Sequence, residues 1–248
     1  MSDSKFIDTP EGRRIAYHKT DGAGPCVVFL GGLKSDMMGT KAVFLEDWAR
    51  AEGRAFLRFD YSGHGESSGN FAEGCIGDWH EDTLAAVGAL TEGPLIVVGS
   101  SMGGWQALLL ARHLAERIAG LVGIAAAPDF TEDGYWANFT EAQKQTLAEV
   151  GQVELPSDYM EPYVITRRMI EDGRNRLVLR DPLTLPFPVR LLQGTADTAV
   201  STATAVRLLE HAQSPDMHLT LVKDADHRFS DAHCLALIVQ AIEEVSAQ

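Results

Sequence analysis

Short runs that are apolar at nearly every position alternate along this chain with segments that are apolar at helical spacing. The runs are Cys26–Leu30, Arg54–Phe59, Leu95–Gly99, Ile118–Ile124, Val189–Gly194 and His218–Val222. The amphipathic segments are Lys41–Ala51, Asp78–Leu90, Gly103–Ala115, Thr202–Ala212 and Ala232–Val245. A strand with one face in water alternates apolar with polar, whereas an unbroken apolar run is covered on both faces. Helices between such strands supply that cover. The pattern therefore predicts an α/β architecture with a mostly parallel central sheet flanked by helices. Gly53 and Gly93-Pro94 stop the first two helices.

The rhythm breaks after Ala127. From about 128 to 185 the chain is more polar and reads as helical, with no clear strand, and Pro182, Pro186 and Pro188 punctuate its return. We expect a helical lid inserted at 128–185 over one end of the sheet. The length of 248 residues suits a single domain over 1–248 carrying that insertion.

The segment Leu95-Ile-Val-Val-Gly-Ser-Ser-Met-Gly-Gly104 contains G-x-S-x-G centred on Ser101. It follows a predicted strand and opens a predicted helix, the context this nucleophile motif requires. The chain must turn sharply there, which strains the backbone at the serine. Side chains at Gly99 and Gly103 would collide. Ser100 is a poorer centre, because Val98 and Met102 would then occupy the crowded positions.

A serine hydroxyl needs a base, and the base needs an acid to orient it. On a sheet of this kind the order is serine, acid, histidine. Of His218, His227 and His233, only His227 sits in the loop after the last strand, at the edge where α/β sheets meet ligands. Asp197 occupies the loop after the preceding strand; Asp181 precedes that strand, and Asp224 and Asp226 crowd His227 in sequence. Ser101, Asp197 and His227 are the expected triad. Two N–H donors should face the oxyanion. We assign them to Met102, just after the nucleophile, and to Leu33 in Gly31-Gly32-Leu33-Lys34, where glycines let the backbone come close. Asp60-Tyr-Ser-Gly-His-Gly-Glu-Ser reads as a tight loop near the same edge, with His64 structural rather than catalytic.

A net charge of −14 disfavours nucleic acid and anionic membranes as partners. Cys26, Cys75 and Cys234 give neither a disulfide framework nor zinc spacing. The polar, acidic N-terminal stretch is unlike a secretory signal, and no apolar run is long enough for stable membrane insertion. We therefore expect a cytoplasmic protein needing no cofactor or metal. Tyr135, Trp136, Phe139, Tyr159 and Tyr163 either line an acyl pocket or pack the lid. Arg167, Arg168, Arg174, Arg176 and Arg180 either attract an anionic leaving group or form surface ion pairs.

Taken together, these motifs resemble the α/β-hydrolase group that includes the mitochondrial acyl-protein thioesterase, also described as mycophenolic acid acyl-glucuronide esterase. The segments that carry the resemblance are Gly-Leu-Lys-Ser-Asp-Met-Met-Gly-Thr-Lys-Ala at 32–42, Arg58-Phe-Asp-Tyr-Ser-Gly, Val98-Gly-Ser-Ser-Met-Gly-Gly-Trp105, Gly194-Thr-Ala-Asp197 and Asp226-His-Arg228. The resemblance implies the α/β-hydrolase fold, the same triad, and hydrolysis of S-acylated proteins or acyl glucuronides. The chain looks like a bacterial-type relative without an organelle-targeting segment. The expected function is cleavage of a small-molecule acyl ester or thioester, or of an acylated protein, through an acyl-enzyme. A serine perhydrolase and a non-catalytic small-ligand-binding protein on the same scaffold are the alternatives. Dehalogenase and epoxide-hydrolase chemistry would need a carboxylate where Ser101 stands.

Overall fold

The structure is a computed structural model that describes residues 3–156 and 163–246. Eight strands form the main sheet: β1 (Lys5–Asp8), β2 (Arg14–Thr20), β3 (Ala23–Leu30), β4 (Arg54–Phe59), β5 (Leu95–Ser100), β6 (Ile118–Ile124), β7 (Val189–Gly194) and β8 (Met217–Val222). Their order is β1-β2-β4-β3-β5-β6-β7-β8. Every pairing from β4 through to β8 is parallel, and β1 and β2 join antiparallel at the edge. This is the α/β-hydrolase fold.

The helices are α1 (Thr40–Ala51), α2 (Ile76–Leu90), α3 (Met102–Leu114), α4 (Glu141–Val150), α5 (Arg167–Arg174), α6 (Thr202–His211) and α7 (Ala232–Ser246). Alternate residues of each central strand serve two separate cores. Val28, Leu30 and Val97 pack with Trp79 of α2 and Trp105 of α3. Val27, Phe29, Ile96 and Val98 pack with Leu45 of α1 and Ile238 and Ile242 of α7. Burial on both faces is the physical reason these strands are apolar at every position. From β3 the chain goes one way to β4 and later returns to the other flank as β5. That reversal of direction opens a crevice at the C-terminal ends of the strands.

Four features depart from the sequence expectations. β1 and β2 carry no unbroken apolar run, because a hairpin at the sheet edge keeps polar groups in water. β8 is also an edge strand, and Leu221 is half exposed. The segment expected to lack strands contains an antiparallel ribbon, Gln152–Leu155 with Tyr163–Thr166. It also holds Leu183–Thr184, paired with Ala212–Gln213. Strands of two to four residues are too short to show a period in sequence.

Asp129 ties the start of that segment to its return. Its backbone is left-handed, at φ 57°, and its side chain is fully buried. Its carboxylate accepts the N–H groups of Val178 (2.8 Å) and Leu179 (3.0 Å) and Nη1 of Arg180 (3.1 Å). Removing it leaves two buried N–H groups without acceptors. Asp129→Ala should destabilise the protein by about 3 kcal/mol, read as a lowered urea midpoint, while Asp133→Ala should cost under about 1 kcal/mol because Asp133 is partly solvated.

Candidate active site

Ser101 stands between the last residue of β5 and the first of α3, with φ 55° and ψ −118°. That conformation is costly for a residue with a side chain. The neighbouring strand and loop hold it: Ser101 N–H donates to Ile124 O (2.9 Å), and its carbonyl accepts from Gly104 (2.9 Å) and Ala127 (3.0 Å). A Cβ on Gly99 would meet Gly103 O at 2.3 Å, and one on Gly103 would meet Leu30 O at 2.0 Å. Both glycines are therefore sterically required.

His227 Nε2 lies 3.1 Å from Ser101 Oγ, and its Nδ1 lies 2.8 Å from Asp197 Oδ2. An ionised Asp197 can only accept, so Nδ1 carries the proton and Nε2 is left to accept from the serine. The side chain of Asp197 is wholly buried. Its Oδ1 accepts the N–H groups of Ala199 and Val200, both at 2.8 Å. Burial pushes this carboxyl up, but the His227 hydrogen bond, the Val200 N–H, the His227 charge and Gln193 together hold it below the usual carboxylate range. The acid and histidine loops leave adjacent strands, β7 and β8, and are bonded to each other: Ala196 N–H to Ala225 O (3.0 Å) and Asp224 N–H to Thr195 Oγ1 (2.9 Å).

The other candidates lie elsewhere. Asp226 accepts from Phe229 N–H in its own turn, and the Asp181 carbonyl accepts from His211. His218 is mostly exposed beside Asp216. His233 is exposed near the start of α7. His64 is buried, packs edge-on against Tyr61, Phe71 and Trp79, and bonds Ser62 O through Nδ1.

Met102 opens α3, so its N–H belongs to the helix's unpaired N-terminal donors. Leu33 lines the same cavity as Met102, in a loop that comes so close that a Cβ on Gly32 would stand 3.3 Å from Ser101 Cβ. The loop after β4 grips this one. Asp60 accepts Met37 N–H (2.6 Å), Arg58 donates to Met37 O, and Tyr61 Oη donates to Gly31 O (3.3 Å). Asp60 is buried, and burial pushes its carboxyl up to about 6.

Two cavities meet at Ser101 and His227. One, of about 320 Å³, is lined by Leu33, Met102, Phe130, Tyr135, Tyr163 and Val200. The other, of about 360 Å³, is more polar and is lined by Ser35, Asp36, Thr40, Lys41, Arg228 and Ser230. Of the expected aromatics, Tyr135 and Tyr163 therefore reach the site. Phe139 is buried against Tyr135, and Trp136 stacks on Arg174; Tyr159 lies outside the described residues. Phe130 escaped the sequence reading, since nothing marks one phenylalanine in a polar stretch. Lys41 escaped too. It donates to Arg228 O, beside His227, and burial pushes its ammonium down to about 8 although Asp226 opposes the shift.

The five insertion arginines line neither cavity. Each has an acidic partner: Arg167 with Glu171, Arg168 with Asp78, Arg174 with Glu132, Arg176 with Asp172, and Arg180 with Asp129 and Asp133. These are the ion pairs that one of the two expectations named.

Residues 27–241 match the model of the alpha/beta hydrolase family. The chain belongs to this family. It is 36% identical over 242 residues to the mitochondrial palmitoyl-protein thioesterase ABHD10 of Rattus norvegicus, covering 97% of this chain and 81% of that one. A crystal structure of a protein from Agrobacterium vitis S4 superposes with a TM-score of 0.95 at 38% identity, covering 98% of each chain. Alpha/beta hydrolase domain-containing protein 10 from mouse superposes at 0.91 with 34% identity, also covering 98% of each. Among the described residues, no helix is long and apolar enough to cross a membrane.

The raised Asp60 carboxyl has a consequence for stability. The group ionises near 4 when unfolded and near 6 when folded. Its contribution is therefore complete below about 4 and lost as pH rises through 6. Wild type should lose on the order of 3 kcal/mol relative to Asp60→Asn between pH 4 and pH 7, read from urea unfolding of both proteins at each pH.

Proposed function

We propose that this hydrolase cleaves carboxylic ester or thioester bonds through an acyl-enzyme on Ser101. The observation that carries the reading is the single imidazole in contact with both Ser101 Oγ and buried Asp197, at the mouth of an apolar cavity. Ser101 Oγ attacks the acyl carbonyl as its proton passes to His227 Nε2. The negative oxygen is received by the N–H groups of Met102 and Leu33. Collapse expels the alkoxide or thiolate, which takes the proton from His227. Water then attacks the acyl-serine with the same histidine as base, releasing the acid and restoring Ser101. No cofactor or metal enters this scheme.

In this reading the acyl group lies in the cavity bounded by Phe130, Tyr135, Tyr163 and Val200, and residues 128–185 act as its lid. The thioesterase name of relatives covering 97% of the chain favours thioesters over oxygen esters, with an acylated protein as a further substrate class. The three free, buried thiols suit a reducing compartment, such as the cytoplasm expected from the sequence.

A fluorophosphonate probe should label the wild type and leave Ser101→Ala unlabelled; equal labelling would remove Ser101 from this role. Asp197→Asn should stay folded and lose kcat on the order of 10⁴-fold, measured on p-nitrophenyl esters and matched acyl thioesters of increasing chain length. Inertness of the wild type toward every member of both series would instead favour the non-catalytic binder.

A further inference from the structure

Gln193 lies four residues before Asp197, near the end of β7, and is wholly buried. Its amide nitrogen contacts three oxygens of the acid loop: Asp197 Oδ2 at 2.9 Å, Val200 O at 3.0 Å and Gly194 O at 3.2 Å. Its Oε1 has no hydrogen-bond partner among the described residues. Rotating the amide by half a turn would set Oε1 against a carboxylate oxygen and two carbonyls. The orientation is therefore dictated by electrostatics. A buried amide with an unsatisfied oxygen is poor filler for a core, since an apolar side chain of the same length avoids that penalty. What distinguishes glutamine here is the pair of N–H groups aimed at the loop.

We propose that Gln193 is a positioning residue for the base, its amide holding Asp197 Oδ2 where His227 Nδ1 meets it. The proposal rests on the acyl-enzyme reading above. Oδ1 is already occupied by two backbone N–H groups, so Oδ2 is the oxygen left for side chains. His227 takes one side of it and Gln193 another. The same amide binds the Val200 carbonyl, closing the loop into a ring around the carboxylate. Gln193 also withdraws part of the carboxylate's charge. Without it, His227 is the sole side-chain donor to Oδ2 among the described residues, and the imidazolium is held more tightly.

Other titratable groups surround the pair. Asp224, Asp226 and Arg228 share the His227 loop; Lys41 comes from α1 and Asp36 from the loop after β3. Tyr135 and Tyr163 come from the insertion. The Asp133–Arg207 ion pair borders a further cavity beside Asp197. Substitution at Gln193 leaves all of these in place.

The test compares wild type with Gln193→Met, which removes the donor at similar volume, and Gln193→Glu, which is isosteric. Circular dichroism and the melting temperature check folding. The pH profile of kcat/KM and an NMR titration of the His227 ring are the readouts. In Gln193→Met both midpoints should move to higher pH by about half a unit to one unit, with kcat lowered more than KM is raised. In Gln193→Glu the second carboxyl beside Asp197 should move them further in the same direction. Folded variants whose midpoints coincide with wild type would reduce Gln193 to a packing residue, whatever the change in rate. Loss of folding in both variants would overturn the proposal in the same sense. The ring titration does not depend on turnover. A wild type that escapes fluorophosphonate labelling therefore defeats the acyl-enzyme reading while the titration still scores Gln193.

Discussion

Ser101 reverses the chain from strand to helix within a single residue, and the site is arranged around that reversal. The positive φ is unfavourable for serine, yet it puts the hydroxyl above the sheet edge. Three glycines make it sterically possible. Gly104 completes the set, since a Cβ there would stand 2.5 Å from Ala126 Cβ. Hydrogen bonds from β6 and the turn after it fix the strained residue on both sides. A serine mounted this way has little freedom to move, so any side chain that meets its hydroxyl must be brought to it.

The parallel sheet brings them. Parallel strands end at one edge, and each loop leaving that edge is a neighbour of the next. β3 contributes the Gly31–Lys34 loop, β5 the serine, β7 the acid and β8 the histidine. Asp197 and His227 are thirty residues apart in the chain but meet because β7 and β8 run side by side, with Gly194 opposite Val222. Ser101 is reached across β6, which separates β5 from β7. The approach is close throughout: a Cβ on Gly194 would meet Ala225 O at 2.2 Å. A second layer of polar contacts, through Asp60, Arg58 and Tyr61, holds the loop after β3 against the loop after β4.

Legibility followed burial. The six strands expected from apolar runs all form, three with the expected bounds and three longer by one to three residues, and for all but the edge strand β8 double-sided burial is what leaves the unbroken signature. The edge hairpin and the four-residue ribbon were not legible, because half-solvated or very short strands leave a mixed pattern that turns also show. Ser101 stood out because steric crowding dictates its glycine neighbours, a local demand written in consecutive residues. His227 and Asp197 were legible through their placement in loops after predicted strands. Phe130 and Lys41 were not, since neither is marked by a local pattern.

From sequence alone one could read the alternation of strands and helices, the elbow at Ser101, and which histidine and aspartate leave the sheet on the correct side. These follow from interactions between near neighbours in the chain: periodic burial, helix and turn preferences, and crowding at a tight reversal. Only the tertiary structure decided that His227 touches both Ser101 and Asp197, that Gln193 shares Asp197 Oδ2 with it, and that the insertion's arginines meet acidic partners. Those contacts join segments that are distant in sequence or buried at a strand end, and their distances are set by how strands order and pack, which no local pattern encodes.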